Sequence, residues 1–143
     1  MAGVTRIPSG NFGAWTAWTP QASQNGNKTS TNNGSRYVQI GKLVTVYCRV
    51  TITAAGTAGH AIGVDLPVTN YTATGDIACG SFMYYRAAGG RYQGAAIFNS
   101  AYGTAGSRVL FHQDALTSVL GVDTSFATAN GDTLGFTVTY EAA

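Results

Sequence analysis

The chain has 143 residues, the size of one domain, and only 10% of them are charged (eight Lys+Arg, six Asp+Glu) for a net charge of +2, where soluble domains carry about 25%. With 45% hydrophobic residues and so little charge, disorder is excluded, as is a helical bundle, whose exposed faces need Glu, Lys, Leu and Arg. Arg6, Lys28, Arg36, Lys42, Arg49, Arg86, Arg91 and Arg108 are scattered singly, which argues against a nucleic-acid binder, and no apolar run reaches the ~20 residues of a membrane span.

In chain order, residues 1–13 form an N-terminal arm without an apolar block, so they are no secretory signal. A single domain is expected over 14–143. From Gln21 to Ser35 nearly every residue is Gln, Asn, Gly, Ser or Thr, which predicts a long polar loop. Ser35 to Ile40 is a strand leading through the Gly41-Lys42 turn into Leu43 to Thr53. There Val44, Val46, Cys48, Val50 and Ile52 alternate with Thr45, Tyr47, Arg49, Thr51 and Thr53, one apolar face and one mostly polar face.

His60 to Leu66 is a short strand ending at Pro67. Ile77 to Ala88 and Arg91 to Phe98 flank the turn dipeptide Gly89-Gly90. The stretch from Ala78 to Tyr85 is apolar or small on both faces, so it calls for two coverings, its own core and, for the second, another subunit. Ser107 to Gln113 is a further strand, and Ala115 to Leu120 has room for one helical turn. After the Asn130-Gly131 turn, Leu134, Phe136, Val138 and Tyr140 repeat the alternation. Short strands at this spacing predict an all-β, antiparallel, jelly-roll-like β-sandwich.

Catalytic chemistry finds little footing. Asp65, Asp76, Asp114, Asp123, Asp132 and Glu141 show no paired spacing, and Asp132 reads as a turn residue after Asn130-Gly131. His112-Gln113-Asp114 lacks a nucleophile elbow. Cys48 and Cys79 lie 31 residues apart and His60 and His112 lie 52 apart, so no metal spacing exists and no cofactor is expected. The two cysteines sit in apolar surroundings and read as free thiols, with one disulfide the other reading.

Binding is better supported. Eight Tyr, six Phe and two Trp amid few charges resemble the makeup of contact surfaces. Tyr71, Tyr84, Tyr85, Tyr92 and Tyr102 are the candidates for glycan or subunit contact, with core packing the competing reading for each.

Trp15-Thr16-Ala17-Trp18-Thr19-Pro20, then a polar loop, then Ser35 to Val44 with its Gly41-Lys42 turn, resembles the opening of C-terminal domains of bacteriophage minor tail proteins and tail or head fibres. Leu66-Pro67 and the closing run Gly131 to Glu141 match the same pattern, whereas Ser35 stands where the pattern has Gly, and residues 71–129 match no motif. The resemblance implies a homotrimeric β-sandwich on the virion exterior, a non-enzymatic structural protein in contact with other virion proteins. Two places remain open: a tail or fibre that recognises host glycan, or a decoration or head fibre on the capsid. A polysaccharide depolymerase and a lectin-like cellular domain are the competing classes. With only about 14 residues before the first Trp, the chain is either a fragment or attaches through the arm at 1–13.

Overall fold

The computed structural model describes residues 13–70, 77–99, 107–113, 118–122 and 126–143. Among the described residues eleven strands follow in order: β1 Thr16–Ala17, β2 Ala22–Ser23, β3 Asn27–Lys28, β4 Ser30–Asn32, β5 Arg36–Ile40 and β6 Leu43–Ile52. They continue as β7 Gly63–Asp65, β8 Ile77–Tyr85, β9 Arg91–Phe98, β10 Arg108–Gln113 and β11 Thr133–Glu141. All pairings are antiparallel, in one sheet ordered β1-β5-β6-β11-β8-β9-β10-β7-β2-β3, with β4 also on β6. No helix occurs among the described residues, and none is long and apolar enough to cross a membrane.

The two strongest alternations in the sequence lie side by side at the middle of this order. Along β6 and β11 the register sets Val50 against Leu134, Cys48 against Phe136 and Val46 against Val138, so the apolar phases of both strands coincide and all six side chains are buried. Phe82 and Tyr84 of β8 continue the same face.

The sheet curls. Two strands separate β10 from β11, which in a flat sheet would hold them about 14 Å apart. Yet the rings of Phe111 on β10 and Phe136 on β11 have centroids 5.4 Å apart, and Phe111 lies 5.1 Å from Phe82. The concave side is thereby filled by one core running from Val44 to Phe111. Ile97, Leu110 and Val119 form a smaller cluster packed with Ala61, Ala95 and Val122.

Several expectations change. The stretch from Gln21 to Ser35 is not a plain loop: it forms β2, β3 and β4 and buries Gln24 completely. The Gln24 amide donates to the carbonyls of His60 (3.1 Å) and Phe126 (3.0 Å) and accepts from the Thr128 N–H (2.8 Å). A polar side chain is stable inside because every hydrogen bond it can offer there is made. The stretch Ala115 to Leu120, with room for one helical turn, falls partly outside the described residues; at its described end Ser118 is a bend, Val119 bridges His112 and Leu120 enters a turn. The arm expected at 1–13 lies outside the description except for Gly13.

Ser35 has a definite job. Asn32 ends β4 opposite Val50 and Arg36 begins β5 opposite Tyr47, so the three residues between them span two of β6. Gly34 takes the turn with φ +90. The Ser35 hydroxyl accepts from the Arg49 N–H (2.9 Å) and donates to the Arg49 carbonyl (3.1 Å), which also accepts from the Asn33 N–H (2.9 Å).

Asp132, read from sequence as a turn residue, is fully buried. Its carboxylate accepts from the Tyr84 hydroxyl (2.5 Å) and from the N–H groups of Ala129 (2.8 Å) and Ala87 (2.9 Å), and its carbonyl accepts from the Ile52 N–H (2.7 Å). Asp132→Asn places an NH₂ where donors already point. It is expected to cost about 2–4 kcal/mol, since hydrogen bonds to charged groups contribute about 1.5–3 kcal/mol. Urea unfolding with an unchanged m-value would measure it; a loss below about 0.5 kcal/mol, the usual size for surface substitutions, would deny the carboxylate its structural role.

Both cysteines are free thiols. Burial pushes each up from the ordinary 9.0 to about 12, against smaller opposing hydrogen bonds, and burial likewise raises the hydroxyls of Tyr84 and Tyr140. Groups held neutral on folding bind more protons folded than unfolded once pH passes the unfolded value, so stability falls as pH climbs from 9 toward 12. Native protein at pH 8 is expected to leave a thiol reagent unreacted over minutes, and to react at both cysteines in denaturant. Fast labelling of the native protein would contradict this.

Candidate functional site

The same alternation that sends Val46, Cys48 and Val50 inward sends Tyr47 and Arg49 outward, and the pairing order decides what joins them. Across β6, β11 and β8 the outward rows read Tyr47, Thr137, Ser81; then Arg49, Gly135, Met83; then Thr51, Thr133, Tyr85. Gly135 has no side chain, so the middle row is hollow. A groove of about 440 Å³ results, floored by Gly135 and lined by Tyr47, Arg49, Ser81, Met83, Tyr85, Thr133 and Thr137. Alongside it a second hollow of about 340 Å³ runs over Ser81, Met83, Gln93 and Gly94 toward β9.

Aromatic rings and guanidinium groups frame this face. Arg36 on β5 lies over both Trp15 (5.0 Å) and Tyr47 (5.4 Å), and Arg91 on β9 lies over Tyr85 (5.6 Å). Trp15, Met83 and Tyr85 are exposed at 48%, 53% and 42%, large apolar area left in water. Among the described residues the ion pairs are Lys42–Glu141 and Arg108–Asp65, so Arg36, Arg49 and Arg91 have no carboxylate partner there. Such a face can stack a flat apolar ring on Tyr85 or Tyr47 and offer hydroxyl and guanidinium donors beside it. Among the described residues its lining holds no Asp, Glu or His.

The five tyrosines named from sequence separate. Tyr85 lines the groove. Tyr84 is fully buried, so its ring cannot touch a ligand. It packs edge-on against Phe126 (5.3 Å) and near Tyr92 (6.4 Å), and Tyr92, half-buried, packs on the same core. Tyr71 and Tyr102 lie outside the described residues, as do Asp76, Asp114 and Asp123. The remaining acids, Asp65, Asp132 and Glu141, are each engaged separately, and no group of three His, Cys, Asp or Glu that would hold a metal exists among the described residues.

Trp15, Arg36, Tyr47, Arg49, Met83 and Arg91 were not named as contact residues from the sequence. The signal was present for Tyr47 and Arg49, which stand on the polar phase of the longest strand. A further polar hollow of about 270 Å³, near His60, Asn25 and Arg108, has its cation already paired with Asp65 at 2.9 Å. Compared with protein-family models, with curated proteins and with solved structures, the chain shows no significant match.

Neighbouring tyrosines are expected to respond oppositely to truncation. Tyr84→Ala should cost about 3–5 kcal/mol as a large buried deletion, and Tyr85→Ala within about 0.5 kcal/mol as a surface change. Equal losses in thermal or urea unfolding would place Tyr85 in the core and remove it from the groove.

Proposed function

We propose that the chain is a non-enzymatic structural protein on the outside of a bacteriophage particle, a jelly-roll-like β-sandwich assembled as a homotrimer that recognises host-surface glycan as part of a tail or fibre. The observation that carries this reading is the outward groove: exposed rings, hydroxyls and guanidinium groups around a glycine floor, with no carboxylate or imidazole among its described lining residues. Sugars present apolar ring faces and hydroxyl edges together, and this face offers a complement to each. A depolymerase of the common hydrolytic kind would need two converging acids, and the described acids are tied up elsewhere.

The sandwich reading is supported by the curl that brings Phe111 over Phe136. The trimer is supported by the opposite end of the outer face. There Ile40 and Leu43 face each other across the β5–β6 turn, and Ile77 lies with Glu141, the register partner of Leu43, along one hollow. All three are exposed, an apolar end that neighbouring copies would cover.

Capsid decoration is the second reading, favoured because Trp, Tyr, Met and Arg, the types framing the groove, are those enriched where proteins meet. Labelling of purified particles is expected to place the chain at the tail or fibre. Regular capsid positions would move it to the second reading, and absence from the particles would end both. Sedimentation is expected to give about three times the chain mass; a monomer at micromolar concentration would remove the trimer.

A further inference from the structure

Resting on the glycan reading above, we infer that the groove takes a carboxylated sugar, a uronic-acid residue of an acidic polysaccharide, with Arg49 as the contact for its carboxylate. Charge complementarity carries the assignment. Three of the chain's eight cations, Arg36, Arg49 and Arg91, share this face. No described acid lies within ion-pair distance of any of them. Glu141 points out of the same sheet, but it stands six residues along β11 from Gly135, about 20 Å at strand spacing and beyond the ~8 Å screening length, and Lys42 is beside it.

The three guanidinium groups are not equivalent. Arg36 and Arg91 lie over rings, whereas Arg49 lines the groove itself and no described ring lies beneath it. Its backbone is fixed from behind, since the Ser35 hydroxyl accepts its N–H and lies against its carbonyl. One free guanidinium is a fork matched to a single planar carboxylate; a phosphate dianion is better met by several converging cations. The sugar ring then lies over Gly135, against Met83 and Tyr85, with Ser81, Thr133 and Thr137 toward its hydroxyls.

The test is calorimetric titration with oligogalacturonate and oligoglucuronate, each beside its methyl ester, which keeps the ring and loses the charge. Esterification is expected to weaken binding about tenfold or more, the size of one charge-assisted hydrogen bond, and rising salt to weaken the acid alone. Arg49→Gln should lose the same factor on the acids and nothing on the esters, with unchanged unfolding. Tyr85→Ala should weaken acid and ester together.

Equal affinity for acid and ester, or full affinity in Arg49→Gln, overturns the carboxylate assignment. Binding only to neutral oligosaccharides overturns it too, while leaving glycan recognition standing. Binding to no oligosaccharide overturns both. If Met83→Glu changes the oligomeric mass and sugar affinity is absent, a second copy occupies the face and the assignment falls.

Discussion

Asp132 holds together parts of the chain that no run of sequence connects. Its carboxylate and carbonyl bind β8 through Tyr84, the β8–β9 turn through Ala87, the 126–132 segment through Ala129, and the end of β6 through Ile52. A sheet whose strands run 6-11-8-9 needs its turns anchored at one edge, or the register of β8 on β11 can slip and exchange the two faces. Hydrophobic burial does not specify that register alone, because β8 is apolar on both sides. The buried carboxylate does: Tyr84 must point inward to reach it, so Met83 and Tyr85 must point out. Core and groove are two consequences of one polar contact.

Much of the architecture was legible in the period-two alternation of β6 and β11, where burial on one face is strong enough to dominate every local preference. The turn at Gly41-Lys42 and the two arms around Gly89-Gly90 followed from turn chemistry. What escaped were features paid for in hydrogen bonds. Gln24 looks like solvent in any hydropathy reading, and only the positions of His60, Phe126 and Thr128 in space make it a core residue. Asp132 escaped for the same reason. Tyr84 and Tyr85 are chemically identical, and nothing in composition separates them until a strand phase is chosen.

The arginines show a different limit. Along the chain Arg36, Arg49 and Arg91 are separated by other elements and read as isolated, and net charge averages them against acids, none of which, among the described residues, is their ion-pair partner. Pairing order sets them around one groove. A charge of +2 for the whole molecule therefore describes long-range steering, which is weak, and says nothing of the local field within a screening length of Gly135.

Gly135 itself stands in open space on its outer side: a Cβ there would meet only the Cys48 carbonyl at 3.6 Å, an ordinary contact. The floor of the groove is thus held open by the absence of one side chain, and not by any constraint of the backbone. A side chain other than proline at this position would fill the hollow while leaving the core beneath untouched. On the proposed reading, the shape of the groove is separable at this one position from the packing that folds the sheet.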